Sequence, residues 1–526
     1  MKIQNLYYPN IIWFARYFIT VFLLGYQVAY ALDSNHLAKT DQVSSEKIFV
    51  QQFRLSGNTV FSTEALKALI RDYENRDITP AELQTVKNIL TQHYIDHGYL
   101  NAYVSISDQT VKNGVISLNI VEEYSDVNNP VFRHSALMKR LQVLPQNPRC
   151  EPIANRIRPT FQRVEETSQI TLTETRPYLF NFNVNNHRSP SVGAYRGEIS
   201  FIHYNLLGLN DVINLCYGRT EGIEDYSIDY NIPLINRNTT LSINFARSNA
   251  SVVEYPFDQL DVESEVENIS LSLHHLFYQT EQQYLMFFSK LQKVSSKTFL
   301  LGRPFSFSPG VQDGESQLTL LKIGHQWVRL NRGRVISTSS SLNFGLDALD
   351  STIHEDGSPD SKFFSIFGNF SWTEYLQTLD SRLFFWTAIH YTNDSLLSLA
   401  KYAIGGADTV RGYRENYLSR DNIFLASLEW QVPITRWQIP NISRVPDDGL
   451  VYLIPFIDYG RGKNDDSDFN NFDDDIFSIG LGLRWYPSET IQAELFWGHA
   501  LTEVPEQEDD DLQDDGIHFE LSFQLF

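Results

Sequence analysis

The sequence predicts a mostly β protein, in which an antiparallel transmembrane β-barrel of about sixteen strands follows a small α+β domain. Two observations carry this prediction. From Pro177 onward, runs of about ten residues alternate apolar and polar side chains and are separated by Asn, Asp and Gly. Aromatic residues make up 13% of the chain, yet its mean hydropathy is -0.27, which excludes a helical membrane protein. A barrel fits both values, because only alternate side chains of its strands meet lipid.

The N-terminus predicts a secretory signal peptide over residues 1–31. Lys2 and Arg16 precede an apolar stretch from Tyr17 to Val28, and Ala29-Tyr30-Ala31 supplies the small residues that signal peptidase requires. An uncleaved membrane anchor is the alternative, but the apolar stretch is shorter than a helix needs to cross a bilayer.

Residues 32–47 are polar and aperiodic, which indicates a linker, and residues 48–124 form the predicted α+β domain. The sharpest local signal is Thr79-Pro80-Ala81-Glu82, a capping box with proline at the first helical position. The expected order is strand, helix, helix, strand, strand, with the elements at Ile48–Leu55, Glu64–Asp72, Pro80 to Gly98, Ala102–Ser107 and Val115–Glu122.

This order and several residues resemble a POTRA domain, the polypeptide-transport-associated module of barrel transporters. An unrelated α+β domain of the same order is the alternative. Residues 125–176 are less regular and suggest an abbreviated second module of this kind. The residues that carry the resemblance are Val50–Leu55, Gly57–Phe61, Tyr94, Gly98-Tyr99 and Ile120-Val121-Glu122.

Residues 177–526 are predicted to form the barrel. Tight turns such as Pro487-Ser488-Glu489 alternate with long acidic loops such as Lys463–Asp475 and Glu503–Asp515. An even number of strands places both ends of the barrel in the periplasm and the long loops outside the cell. A soluble sandwich is the alternative for any single segment, but its Phe, Leu and Trp faces would aggregate in water.

Charge and cysteine content exclude other classes. The net charge of -22 argues against nucleic acid, which needs clustered Lys and Arg. The two cysteines, Cys150 and Cys216, are too few for a disulfide scaffold and lack the spacing of a metal or redox motif. We expect isolated thiols, with a bridge between them as the alternative. No metal and no cofactor is expected.

A glycine-rich segment lies between the eleventh and twelfth predicted strands and contains Val410-Arg411-Gly412-Tyr413. Glycines permit positive φ, and the rigid guanidinium fork of Arg411 suits a carboxylate. In the thirteenth strand, Asp458 shares with Phe456 the face opposite Ile457, and this face points into the lumen. We therefore predict that Arg411 pairs with Asp458 and pins the loop inside the barrel.

These motifs resemble those of the TpsB transporters of two-partner secretion, the ShlB-type haemolysin secretion/activation family within the BamA-like superfamily. The family's VRGY tetrad corresponds to Val410–Tyr413, and its F-x-D-x-G strand motif corresponds to Phe456-Ile457-Asp458-Tyr459-Gly460. The resemblance extends to Leu207–Asp211 and Tyr230–Leu234, so it covers nearly the whole mature chain. The family also joins this Asp to the Arg of the tetrad.

The resemblance implies an outer-membrane transporter that exports an unfolded partner polypeptide from the periplasm to the cell surface without ATP. Further implied partners are a β-helical secretion domain on the cargo, outer-membrane lipid and lipopolysaccharide around the barrel, and the barrel-assembly machinery during biogenesis. Main-chain pairing with an edge strand of the POTRA domain is the expected mode of partner binding. The strand that we expect to bind the partner consists of Ala102, Tyr103, Val104, Ser105, Ile106 and Ser107.

Three other functions stay open. A barrel-assembly factor of the same superfamily generally carries more POTRA units than this chain has room for. A barrel lipase or protease would need catalytic residues, but the sequence contains neither G-x-S-x-G nor HExxH. A porin needs no periplasmic module, and an uptake barrel needs a glycine-rich plug. We therefore expect a transporter without catalytic residues.

Overall fold

A computed structural model describes residues 47–525, with gaps at 97–102, 107–108, 112, 122–156, 165–166, 175–176, 235–237, 281–282, 332, 441, 444–447, 465–473, 489 and 504–510. The predicted signal peptide, most of the linker and Cys150 lie outside the described residues. The chain divides into two compact units. The first includes Ala102–Glu122 and Ile157–Glu174, and the second includes Thr175–Phe526.

The N-terminal unit combines two helices with three small sheets. Its helices are α1 (Thr63–Ile70) and α2 (Pro80–Asp96), and neither is long and apolar enough to cross a membrane, nor is any other described helix. Its strands are β1 (Ile48–Val50), β2 (Gln52–Ser56), β3 (Arg76–Ile78), β4 (Tyr103–Ile106), β5 (Gln109–Val111), β6 (Val115–Val121), β7 (Ile157–Val164) and β8 (Thr167–Glu174).

The first strand differs from the prediction. The segment Ile48–Leu55 was expected to be one strand, but it is divided at Gln51 into β1, which pairs with β3, and β2, which runs parallel to β6. The division has a local cause. The amides of Gln51 and Gln52 donate to the Gly114 carbonyl, at 2.7 and 3.3 Å, and this carbonyl lies in a turn where Asn113 and Gly114 both have positive φ.

Helix α2 buries the face that its periodicity predicts, whereas α1, expected to bury Ala65, Leu66, Leu69 and Ile70, buries only Leu66 and Ile70. In α2, Leu83, Val86, Leu90 and Tyr94 are completely buried. Each such side chain contributes about 2 kcal/mol to folding through burial. The capping box of α2 is formed in both directions: the Thr79 amide donates to the Glu82 carboxylate at 2.8 Å, and the Glu82 amide donates to Oγ1 of Thr79 at 3.2 Å.

The hairpin of β7 and β8 adds to the N-terminal unit through β5. Residues Gln109–Val111 pair with Ser168–Ile170 of β8, which gives the sheet order β5-β8-β7. This hairpin is the described part of residues 125–176, which the sequence analysis assigned to an abbreviated second module. The other three-stranded sheet of this unit has the order β2-β6-β4, so β4 lies at its edge.

The second unit is a closed antiparallel barrel of sixteen strands, which confirms the predicted fold class. We call the rim that holds the start of the first strand and the end of the last one the near rim, and the opposite rim the far rim. The strands are β9 (Tyr178–Asn185), β10 (Arg196–Tyr204), β11 (Val212–Arg219), β12 (Ile223–Pro233), β13 (Thr239–Ser251), β14 (Val262–Gln279), β15 (Gln283–Leu300), β17 (Glu315–Asn331), β18 (Arg334–Leu346), β19 (Phe364–Leu376), β20 (Ser381–Thr392), β23 (Asn422–Arg436), β24 (Leu450–Lys463), β25 (Asp474–Ser488), β26 (Ile491–Ala500) and β27 (Ile517–Leu525).

Three further short strands lie in the loops of the far rim, and they do not contribute to the count of sixteen. They are β16 (Arg303–Pro304), β21 (Tyr402–Ile404) and β22 (Leu418–Arg420).

Side chains alternate between the outer surface and the lumen as expected for a barrel in lipid. On β14, Ile269, Leu271 and Leu273 are 53%, 49% and 43% exposed, whereas Ser270 and Ser272 are 4% and 7% exposed. Apolar groups thus face outward and hydroxyl groups face inward. A soluble barrel would have the opposite arrangement.

The wall of the barrel has unequal height. Strands β14 and β15 have 18 residues each, whereas β9 and β11 have 8. A strand needs about 9–11 residues to cross a bilayer. On β14 the outward positions change from Ile269 to Glu267, Glu265 and Glu263 toward the far rim. The extra length of this wall therefore projects beyond the lipid at the far rim.

We predict that Thr79→Ala weakens the start of α2, because the Glu82 amide loses its acceptor. The free energy of local opening of α2 should fall by about 1 kcal/mol. Amide hydrogen exchange of the full chain measures this, and exchange in the barrel strands serves as the control. Unchanged exchange in α2 would show that the cap is unimportant.

The contribution of Glu82 should depend on pH. Partial burial acts to raise the pKa of the Glu82 carboxyl, but hydrogen bonds from Thr79 and the nearby Arg76 hold this pKa below its usual 4.5. The carboxylate therefore stabilises α2 at pH values above 4.5, and this contribution is lost as the pH falls through the lowered pKa. Glu82→Gln should increase hydrogen exchange in α2 at neutral pH and cause no difference from the wild type at acid pH.

Candidate functional site

The residues that the sequence analysis singled out meet inside the barrel. The chain between β20 and β23 forms a loop whose ends pair as the hairpin of β21 and β22, and the segment Val410–Tyr413 lies between these two strands. Arg411 is only 5% exposed and Asp458 is fully buried. We call residues Tyr402–Arg420, which include this segment, the luminal loop.

Arg411 and Asp458 form a two-point contact. Nε and Nη2 of Arg411 donate to Oδ2 and Oδ1 of Asp458, each at 2.8 Å, and the Arg411 amide donates to Oδ2 at 3.1 Å. Ser427 donates to Oδ1 of Asp458 at 2.7 Å. The planar fork of arginine matches a carboxylate in this way, whereas lysine would provide a single ammonium.

A second carboxylate, which the sequence analysis missed, completes the site. Nη1 of Arg411 donates to Oε1 of Glu429 on β23 at 2.6 Å. A signal for it exists in the sequence, because Glu429 is a charged residue between the outward-facing Leu428 and Trp430 of an otherwise alternating strand. Because successive side chains of a strand point to opposite faces, the Glu429 carboxylate points into the lumen.

Two aromatic rings enclose the guanidinium. Cζ of Arg411 lies 3.6 Å from the ring centroid of Phe456 and 4.8 Å from that of Phe496. Cation–π attraction adds to the ion pairs at such distances. Gly460, two residues beyond Asp458, leaves room for the loop, because a Cβ there would lie 2.8 Å from methyl groups of Ile404 and Val410.

Gly412 brings the luminal loop into backbone contact with the wall. It has a φ of +91°, and a Cβ there would lie 2.8 Å from the carbonyl carbon of Gly498 on β26. A Cβ on Gly516 would lie 1.9 Å from the Gly498 carbonyl oxygen. Three chain segments therefore meet at positions where only glycine fits.

The next residues attach the loop to the far rim. The Tyr413 hydroxyl donates to the Phe477 carbonyl at 2.9 Å. Arg414 donates to Asp514 through Nε at 2.5 Å and Nη2 at 2.6 Å, and to Glu254 through Nη1 at 2.5 Å. Asp514 and Glu254 belong to two different far-rim loops, so Arg414 connects both of them to the luminal loop.

An apolar cluster supports the charged site. Val410 is fully buried and packs with Ile404 and Tyr413 of the loop against Leu425 and Ile476 of the wall. A cluster of this kind excludes water from one side of the Arg411 site. Ion pairs that are shielded from water are stronger than exposed ones.

The other two quoted motifs also contact each other. Asp211 at the end of the first near-rim turn accepts the amides of Leu207 and Leu209 at 3.0 and 3.3 Å. The Tyr230 hydroxyl of β12 donates to the same carboxylate at 3.2 Å. This contact fixes the shape of the turn between β10 and β11.

The predicted partner-binding strand is β4, of which Tyr103–Ile106 are described while Ala102 and Ser107 lie outside the described residues. It pairs on one side with β6. On its other side, the Val104 amide donates to Oγ1 of Thr91 in α2 at 3.1 Å. The helix thus covers one donor of this edge.

Among the described residues, no group of three or more His, Cys, Asp or Glu side chains is arranged to hold a metal ion. The Cys216 thiol on β11 is free and partly buried. It alternates with outward-facing Leu215 and Tyr217, so it faces the lumen.

Comparison with known families decides the identity of the barrel. Residues 167–485 match the family described as haemolysin secretion/activation protein ShlB/FhaC/HecB. The chain belongs to this family. Residues 48–123 match the ShlB-type POTRA domain. The haemolysin secretion/activation proteins are transporters and not enzymes, and membership implies a secreted partner protein.

Individual relatives agree with this assignment. The chain is 20% identical over 476 residues to the outer membrane transporter CdiB of Dickeya dadantii (strain 3937). This match covers 83% of this chain and 80% of the relative. The fold is similar to CdiB from Escherichia coli, with a TM-score of 0.60, 15% identity and 92% of each chain covered. It is also similar to CdiB from Acinetobacter baumannii, with a TM-score of 0.51, 15% identity and coverage of 95% and 97%.

Family membership also gives the location. The barrel lies in the outer membrane and the POTRA domain lies in the periplasm. The barrel chain starts at the near rim directly after the periplasmic domain, so the near rim faces the periplasm. The far rim with its long loops faces the exterior.

We predict that Gly412→Ala displaces the luminal loop, because the new methyl group would overlap the Gly498 backbone. Trypsin should then cut the purified protein after Arg411 and Arg414, which the wild type protects. Gly357→Ala is the matched control, because Gly357 also has a positive φ, +85°, but no atom within 4 Å of the added Cβ. Equal protection in both variants would contradict the close contact.

Proposed function

We propose that this transporter exports its partner as an unfolded chain, which the POTRA domain receives and which passes through the barrel beside a luminal loop pinned by Arg411. The observation that carries the proposal is the buried fork of Arg411 between Asp458 and Glu429. Export of a protein across the outer membrane is the function of the family. The unfolded state of the cargo and the role of the loop are the proposal.

The polar lining of the lumen supports passage of an unfolded chain. Inward-facing groups form networks of neutral hydrogen bonds, such as Gln292 to Asn268 at 2.9 Å and Asn268 to Asn244 at 3.3 Å. An extended chain carries unpaired amides and carbonyls that need partners. Hydroxyl and amide groups in the wall provide such partners without trapping one particular sequence.

The driving force proposed for export is folding of the partner outside the cell. An unfolded chain gains free energy when it buries apolar surface, and this gain makes return through the barrel unfavourable. No nucleotide is then required at this membrane. The transporter only has to keep the cargo unfolded and the path open.

The fixed luminal loop is proposed to keep this path open. Removing one partner of a buried ion pair costs about 3–5 kcal/mol, because the other charge stays buried without compensation. The loop therefore remains attached to the wall at β23 and β24 while the cargo passes along the remaining lumen.

Lipid, lipopolysaccharide and the barrel-assembly machinery are proposed as further partners. Above the apolar band, the outer surface carries Arg247 paired with Glu265 and Glu267 at 3.2 Å, and Lys297 paired with Glu315 at 3.0 Å. Such a charged belt fits the phosphate and sugar groups of lipopolysaccharide. Assembly machinery would act when the sixteen strands insert and close.

We predict that Arg411→Ala leaves the barrel inserted but lowers export of the partner at least about tenfold, because the loop loses about 3 kcal/mol or more of attachment. Surface display of a co-expressed partner measures export, and heat-modifiable migration of the barrel measures insertion. Arg461→Ala, at a half-exposed cation on the same strand as Asp458, is the control. Undiminished display in Arg411→Ala would remove the proposed role.

The edge strand β4 should bind the partner in the periplasm. A photo-crosslinking residue at Ser105 of β4 should capture the partner during export, whereas the same residue at Arg54 of β2 should not. Both positions lie on edge strands of one sheet, so the pair tests which edge receives the cargo. Capture from Arg54 alone would transfer the proposed contact to β2.

A further inference from the structure

Two lysines face each other inside the barrel. Lys290 of β15 is directly opposite Lys322 of β17, and this row continues to Ser272 of β14 and Asn343 of β18. Ser272 and Asn343 are buried in the wall, whereas the next residue on each lysine strand is exposed to lipid. Both ammonium groups therefore belong to the luminal face.

The lysine pair differs from the arginines of the lumen. Arg196 pairs with Glu198 and Asp225, Arg484 pairs with Glu494, and Arg411 has its two carboxylates. Within the ranges that the structure describes, neither Lys290 nor Lys322 has a hydrogen bond or an ion pair.

The Asp229 carboxylate acts on Lys290 electrostatically, but it forms no ion pair with either lysine. The Asp229 carboxylate accepts a hydrogen bond from Asn244 at 2.7 Å and does not pair with Lys290. Like charges directly opposite each other in a sheet repel and destabilise it. The wall thus holds two opposed cations that share one nearby carboxylate and form no ion pair with it.

We propose that Lys290 and Lys322 form a binding site for carboxylate side chains of an acidic stretch in the chain that passes through the lumen. This inference rests on the proposed export function. Opposed residues have Cβ atoms about 5 Å apart, so both ammonium groups reach one carboxylate or two neighbouring ones. Binding of a carboxylate also relieves the repulsion between the two cations.

Lysine suits a site for a moving ligand. Its ammonium group is a single charge on a flexible stem, so it follows a carboxylate over a short distance instead of fixing it in one orientation. A conducting path needs sites that attract the ligand and also release it. The arginines that pair with carboxylates, by contrast, hold the wall and the luminal loop in fixed positions.

The test measures binding of fluorescein-labelled octaglutamate to the full-length protein in nanodiscs by fluorescence anisotropy. We expect that Lys290→Gln with Lys322→Gln lowers the affinity about tenfold, because two ion pairs in a wet lumen are lost. The matched control is Lys293→Gln with Lys297→Gln, because these lysines lie on β15 but face outward. Octalysine should not bind at this site.

Equal affinity of the luminal double variant and the wild type would overturn the proposal, and so would the absence of octaglutamate binding to the wild type. Heat-modifiable migration shows that each variant is folded. The assay needs no export, so its failure is distinguishable from a failure of the proposed function, which the surface display of the partner measures.

Discussion

The structure of the site depends on one buried charge. A guanidinium that is almost completely removed from water is stable only when carboxylates and hydrogen-bond acceptors surround it. Asp458, Glu429 and Ser427 provide these groups from two adjacent strands. Because the charge belongs to the loop and the acceptors belong to the wall, the loop has to lie inside the barrel for either to be satisfied.

The remaining contacts of the luminal loop follow from this attachment. Once Arg411 is fixed, Gly412 must lie against Gly498, and no residue with a side chain fits there. Tyr413 and Arg414 then come within reach of the far rim. The buried ion pairs of Arg411 thus determine the position of four consecutive residues, Val410–Tyr413. Through Arg414 they also determine the position of two outer loops.

The sequence predicted those features that depend on the two-residue period of a strand. Alternation in Val451–Asp458 is sufficient to place Asp458 in the lumen, and the structure joins it to Arg411. The count of about sixteen strands was also predictable, because alternating segments can be counted along the chain and a barrel with both ends at one rim needs an even number. The capping box of α2 was predictable because all its contacts are local.

Contacts between distant segments were not predictable from one sequence. The division at Gln51 results from the carbonyl of Gly114, more than sixty residues further along the chain. The pairing of β5 with β8 joins two segments that are far apart in the sequence. The alternation of side chains within a strand does not indicate which distant strand it pairs with. Glu429 and Arg414 carry the right chemistry, but only the closed wall shows which acceptor or loop each one meets.

The uneven wall has a consequence for what leaves the barrel. Strands β14 and β15 rise beyond the lipid, whereas β9 and β11 are short. An emerging polypeptide therefore meets a tall protein screen along β14 and β15 and a lower, open flank along β9 and β11. Under the proposed export of an unfolded partner, folding of the released chain should begin on the open flank, so the direction of release is built into the lengths of the strands.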